Sequence, residues 1–335
     1  MRRPWLDVLK GAAMALVVVN HAILWPMRAG DGSAAFLYGT AYGTVAAFAA
    51  VTGYIGGMRP PAESPGSVLR RRAYQLLLPW AFWACLYALA PFVWRWIGGP
   101  AALPVGFSPG PWALAVLAGG GPLWFLPVIF VAAVVGTLLD RRTSSWRPAW
   151  IMVALYVVIA ALAWLAGRSP LALGEGTFWA VSPLYVASYW AGLRLARDGV
   201  PEWVSGVALP TLIVSAVLAG VATYVRAETR ASELMWLPYL IGLPGGWAAL
   251  VMAAGANGEP AHALSRFLMR VGVASRGVYV LHPILVAPMM LAMSTVGHSG
   301  PAYVLASILV AVVGVWGSTR LTEGIRRTRY GHAVV

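Results

Sequence analysis

The chain has 335 residues, of which 60% are hydrophobic and 10% charged, with a formal net charge of +13 at pH 7. Soluble domains carry about a quarter charged residues and under half apolar ones. With a mean hydropathy of +0.73, the composition excludes a soluble fold, a disordered tail and a coiled coil, and the single cysteine, Cys85, excludes an internal disulfide. The expected fold class is an all-α integral membrane protein, one transmembrane domain over residues 1–335 with no separate soluble domain.

Ten segments hold the roughly 20 mostly apolar residues that a bilayer-crossing helix needs: 8–27, 36–57, 74–94, 122–139, 149–167, 178–196, 204–224, 235–254, 275–295 and 302–321. Segment 111–119 is apolar but too short; Pro109, Pro111 and Gly119 to Gly121 bracket it, so it reads as interfacial or re-entrant. An even count puts both termini on one side. If that side is the cytoplasm, only five of the 24 basic residues face outward: Arg28, Arg95, Arg168, Arg226 and Arg230. Such a positive-inside bias accounts for the net charge without a nucleic-acid partner. The basic N-terminal end and its apolar run lack the small-residue cleavage site of a signal peptide, so the first span is expected to be retained. Trp25, Trp94, Trp96, Trp146, Trp150 and Trp236 fall near span ends and read as interfacial anchors.

Ionisable residues inside spans are costly and are functional candidates by default. The first span opens Asp7-Val8-Leu9-Lys10 and reaches Asn20-His21 after an apolar run; Lys10 is the only lysine of the chain. Eleven residues of helix put His21 about 16 Å deeper than Lys10, on nearly the same face. A neutral imidazole there can serve as a general base, and burial favours the neutral ring; a helix-to-helix hydrogen bond is the structural alternative. Asp7 and Lys10 also suit an i,i+3 surface pair. Arg70-Arg71-Arg72 opens the third span, where guanidinium forks bind phosphates or simply anchor the cytoplasmic end. Arg266, Arg270 and Arg276 read as anchors. In the ninth span, His282 precedes Pro283 and either satisfies a carbonyl freed by the proline or joins the chemistry. No Cys/His cluster and no nucleotide-binding glycine loop occurs, so no metal is expected.

These residues resemble the acyltransferase-3 family of membrane O-acyltransferases. Leu6-Asp7-Val8-Leu9-Lys10-Gly11 followed by His21 is similar to its opening pattern. Thr52-Gly53-Tyr54, the arginine run before Pro79-Trp80, Leu123-Trp124-Phe125-Leu126, and Ser275 with Tyr279, His282 and Pro283 resemble its later marks in the same order. The resemblance implies transfer of an acyl group, acetyl above all, from acyl-CoA to a hydroxyl of a glycan, glycoconjugate or other cell-envelope compound, in the inner (plasma) membrane and in contact with its lipid. It implies His21 as the catalytic histidine, Lys10 in the place of a commoner arginine, and Arg70, Arg71, Arg72 and Lys10 as donor-phosphate contacts. Asp7, Asn20, Trp124, Ser275, Tyr279 and His282 are supporting candidates, with Tyr279, Ser275 or Asn20 as the oxyanion partner. One departure stands out: where the family often has Arg-x-x-Arg, this chain has Arg72-Ala73-Tyr74-Gln75. The alternative function is a transporter or flippase for an envelope lipid or small molecule, which the scarcity of acidic residues in the spans disfavours.

Overall fold

The computed structural model describes residues 3–28, 30–58, 64–98, 108–118, 123–165, 181–229, 236–294, 300–328 and 331–335. Among the described residues there are helices and connecting turns and no strand. Helix α1 spans Pro4–Arg28, α2 Gly32–Thr40, α3 Gly43–Gly57 and α4 Pro65–Arg72; a π-helical turn over Ala73–Leu77 then leads into α5, Leu78–Gly98. There follow α6 (Pro109–Leu117), α7 (Phe125–Asp140), α8 (Arg147–Leu165), α9 (Ser182–Asp198) and α10 (Glu202–Thr229). The chain continues through α11 (Leu237–Gly255), α12 (Ala263–Val273), α13 (Ser275–Ser294), α14 (Pro301–Arg326) and a short α15 (Gly331–Val334).

Seven stretches of the described residues are long and apolar enough to cross a bilayer: Pro4–Leu24, Gly32–Gly57, Gly66–Val93, Glu202–Thr229, Leu237–Gly255, Ser275–Met293 and Pro301–Arg326. The protein is a multi-pass membrane protein. Three of the ten predicted spans fall on helices outside this set. Those of α7 and α8 are apolar but shorter. Helix α9 is buried along its length, from Pro183 to Leu195, and carries Tyr185, Ser188, Tyr189 and Arg194 inward. Surrounded by protein rather than lipid, it need not be uniformly apolar. The predicted span 36–57 is broken at Ala41-Tyr42 into α2 and α3, and segment 111–119 forms the nine-residue α6, whose Trp112 Nε1 donates to the Tyr87 carbonyl of α5 at 3.0 Å.

Helices in lipid gain nothing from excluding water, so close backbone contact at small residues decides which of them pair. A Cβ on Gly53 of α3 would stand 1.8 Å from the Tyr189 carbonyl oxygen, and one on Gly192 of α9 would stand 1.8 Å from that of Ala50. The same reciprocity joins Gly11 of α1 to Gly272 of α12, against Leu268 O and Asp7 O. The first pair clamps α3 to the buried α9; the second pins the start of α1. Further along α1, Gly314 of α14 leaves only enough room for Val18 of α1 and Val286 of α13 to meet over it. That three-helix contact draws α1 and α13 together one helical turn from each histidine, before His21 on α1 and after His282 on α13.

Candidate functional site

His21 on α1 and His282 on α13 face each other with ring centroids 4.8 Å apart. His282 is fully buried and His21 partly so. His21 Nδ1 lies 2.8 Å from the Val17 carbonyl and 3.3 Å from His282 Nε2, while His282 Nδ1 lies 3.1 Å from the Val278 carbonyl. A carbonyl can only accept, so each Nδ1 carries a proton in this pattern. His282 Nε2 is then unprotonated and accepts from His21 Nδ1–H, which it shares with Val17 O. The lone pair of His21 is left on Nε2, and among the described residues nothing bonds that atom. The partner of each ring at i−4 comes from its own helix; only the cross-helix contact needed the fold.

Tyr279 lies one turn before His282, its ring 6.0 Å from that of the histidine. Its hydroxyl oxygen accepts the Phe125 N–H at the start of α7, at 3.1 Å, which leaves the O–H proton to give. Trp124 precedes α7 with its ring 5.7 Å from Tyr185. Asn20 Nδ2 donates to the Tyr38 carbonyl at 3.4 Å, and its Oδ1 is buried without a partner. Ser275 opens α13, seven residues and so about 10 Å of helix before His282; the fold sets Tyr279 beside the histidine pair, turns Asn20 toward Tyr38 and leaves Ser275 apart.

The cations collect toward the other end. Arg3 Nη1 donates to Tyr54 Oη at 3.0 Å and to the Ala254 carbonyl at 2.9 Å, which aligns the start of α1 with the ends of α3 and α11. Lys10 Nζ is paired with Asp7 Oδ1 at 2.6 Å. Because Asp7 is buried, this is an interior pair rather than the surface pair that i,i+3 spacing suggests. Of the arginine run on α4, Arg70 is exposed and Arg72 is buried with its Nε unpartnered. The Arg72 guanidinium reaches the last turn of α3, 3.7 Å from where a Gly56 side chain would begin. In the π-turn that follows, Leu78 N–H bonds back five residues to Ala73. Such turns re-aim side chains and are common at functional sites; here one separates the phase of the arginines from that of α5.

A family model described as an acyltransferase domain, acyltransferase-3, matches residues 3–320, essentially the whole chain. The chain belongs to the acyltransferase-3 family. No curated protein and no solved structure matches it. As an acyltransferase-3 protein it is a multi-pass membrane acyltransferase.

The family's Arg-x-x-Arg departure has a structural counterpart. At Gln75, where the second arginine would stand, Arg276 Nη1 of α13 donates to the backbone carbonyl at 2.9 Å, and Arg276 Nη2 donates to Val335 O at 2.6 Å. Arg276 is thus an interior strut between α13, the π-turn and the tail, not the anchor its spacing with Arg266 and Arg270 suggests; Arg270 does pair outward, with Glu323 at 2.9 Å. Trp236 is a second correction. Its Nε1 is buried and unpartnered, and its carbonyl accepts from Tyr156 Oη at 3.0 Å, so it faces the interior of this acyltransferase rather than the lipid interface. Trp96 and Trp150 are exposed, as anchors are; the side chains of Trp25 and Trp94 lie outside the described residues. Sequence reasoning did not single out Tyr42, Tyr185, Tyr239 and Arg226, which belong to an aromatic layer treated below. Their signal was present as tyrosines at the same ends of several spans, a distribution that also fits an ordinary aromatic belt.

Proposed function

We propose that this acyltransferase moves an acyl group, acetyl above all, from acyl-CoA to a hydroxyl on a sugar or other envelope compound, with His21 as general base. The observation that carries the reading is the unshared Nε2 of His21, held in that tautomer by Val17 O and His282 Nε2. A base must present its lone pair to the acceptor and must not turn away when it becomes charged. In this scheme His21 Nε2 takes the hydroxyl proton as the oxygen attacks the thioester carbonyl. A new C–O bond forms, the carbonyl oxygen becomes an oxyanion, and the C–S bond then breaks. The departing thiolate receives the proton back from His21, leaving the ester and free CoA thiol. The Tyr279 O–H supplies the oxyanion's hydrogen bond. His282 is a positioning residue that acts through His21.

The arrangement of charges supports a donor that enters from the cationic end. Acyl-CoA is polyanionic, and the buried Arg72, together with Arg70, Arg71 and Lys10, lies toward the end of the bundle from which His21 is about 16 Å distant along α1, a distance that a long pantetheine arm bridges. With ten spans and both termini cytoplasmic, in the inner (plasma) membrane, that end opens where acyl-CoA is made. The test is thiol release from acetyl-CoA by the protein in nanodiscs with a panel of sugar acceptors. His21→Ala is expected to abolish release while acetyl-CoA still binds. Arg72→Ala is expected to raise the KM for acetyl-CoA about tenfold or more, at little cost in kcat, since a charge-assisted contact contributes about 1.5–3 kcal/mol. Full turnover by a folded His21→Ala protein would overturn the assignment.

A further inference from the structure

Beyond the histidines, away from Arg3 and Arg72, the helix ends form an aromatic layer that the acyl-transfer scheme does not use. Tyr38 of α2 and Tyr42 meet edge to face at 5.6 Å, and Tyr42 meets Tyr239 of α11 in the same manner at 4.5 Å. Tyr185 of α9 lies within electrostatic range of Tyr42 and Tyr38, and its ring and that of Tyr279 both meet Phe125 edge to face, at 6.3 and 5.9 Å, which connects the layer to the paired histidines. Arg226 of α10 lies within the same range of the Tyr42 and Tyr239 hydroxyls. No ion pair among the described residues involves Arg226.

Four elements place buried polar atoms with no partner in this one layer: Asn20 Oδ1 on α1, Tyr185 Oη on α9, Arg226 Nε on α10 and Trp236 Nε1 ahead of α11. A buried polar atom that nothing satisfies is destabilising, and native proteins keep few of them. Four gathered in one layer, which Asn20 joins to the neighbouring His21 on α1, therefore mark a place where a polar ligand completes the structure. Their chemistry describes that ligand. Two fixed N–H donors, one of them cationic, a hydroxyl and an amide oxygen suit a polyhydroxylated ring that bears an anionic group. The tyrosine and tryptophan faces supply apolar walls for such a ring, and a guanidinium is the side chain that best matches a carboxylate or phosphate.

We propose that this layer is the acceptor subsite and that the acceptor is an anionic sugar, its carboxylate or phosphate on Arg226 and one ring hydroxyl presented to His21 Nε2. The assignment rests on the acyl-transfer reading for its role, though not for its binding chemistry. It places donor and acceptor on opposite sides of His21: cations for the CoA phosphates at one end, an aromatic layer with one cation at the other.

Binding and turnover are measured separately, in nanodiscs of zwitterionic lipid, with methyl β-glucuronide, glucose 6-phosphate and methyl β-glucoside. Without acyl-CoA, the two anionic sugars are expected to bind at least tenfold more tightly than the glucoside. Arg226→Gln should remove that preference and Arg226→Lys should restore part of it. Tyr185→Phe should weaken all three sugars while preserving their ratio. Equal binding of the three sugars by the wild type, or an undiminished preference in Arg226→Gln, would overturn the subsite. Discs containing phosphatidylglycerol distinguish a lipid headgroup: competition with the glucuronide that disappears in Arg226→Gln would assign the site to lipid and overturn the sugar assignment. Arg226-dependent binding without thiol release from acetyl-CoA would sustain the subsite and sink the acyl-transfer reading. His21-dependent release that ignores Arg226 would do the reverse.

Discussion

Replacing His282 by leucine tests the dyad most directly. The substitution removes the acceptor 3.3 Å from His21 Nδ1 and leaves the Val17 carbonyl at 2.8 Å in place, so the His21 ring keeps its orientation and tautomer. What is lost is help for the charge. When His21 takes the acceptor proton it becomes imidazolium, and its Nδ1–H then makes a charge-assisted bond to His282 Nε2. Such bonds contribute about 1.5–3 kcal/mol. The 3.3 Å separation is long for a nitrogen donor, which puts this one in the lower half, about 1.5–2 kcal/mol. At 1.36 kcal/mol per factor of ten, His282→Leu should lower kcat about 10- to 30-fold and leave the KM for acetyl-CoA nearly unchanged. His282→Gln retains an acceptor oxygen and should recover most of the loss. Because His282 acts through His21, adding His282→Leu to His21→Ala should cost nothing further. The assay is thiol release by proteins whose melting in detergent matches the wild type. A rate within twofold of wild type for His282→Leu, or additive losses in the double variant, would refute the reasoning.

Two further expectations concern the scaffold. A Cβ on Gly192 would stand 1.8 Å from Ala50 O, and ordinary C···O contacts lie near 3.3 Å, so Gly192→Ala must part α3 from α9 by about 1.5 Å. Overpacking of this kind costs about 1–3 kcal/mol and should lower the melting temperature in detergent, whereas Gly206→Ala on α10, with nothing within 4 Å, should leave it unchanged or raise it; equal melting of the two variants would refute the clamp. Outside the spans, Asp31 caps α2 through Ala34 N–H at 3.0 Å and also accepts from Gly300 N–H at the start of α14 at 2.9 Å. Burial pushes its carboxyl up, but the Ser33 hydroxyl and the backbone N–H groups of Ala34, Gly300 and Ser33 outweigh this and hold it below the usual carboxylate range. A depressed folded value means that the stabilisation is complete above the unfolded value near pH 4 and is lost as pH falls through the folded one. Asp31→Asn should therefore melt below the wild type at pH 7, with the gap closing below about pH 4; a gap that persists into acid would refute it.

The sequence alone determined the solvent and the chemistry of the ends. Composition made this a membrane protein, span length located the long helices, and the order of short motifs from Asp7 to His282 pointed to the family. These properties are local, set by residue type and by the 1.5 Å rise of a helix, so one dimension records them. Depth is legible for the same reason: Lys10 and His21 share a helix. Which side chains face each other across helices is another matter. His21 and His282 are 261 positions apart, and each has a carbonyl partner within its own helix that would satisfy it alone. Only the glycine and valine contacts among α1, α13 and α14 bring the rings together and so choose the nitrogen that carries the lone pair. Arg276 and Trp236 read as anchors because a side chain near a span end has the same sequence signature whether it turns toward lipid or toward protein. The direction it turns is fixed by the packing of its helix against the others, and that packing exists only in the assembled bundle.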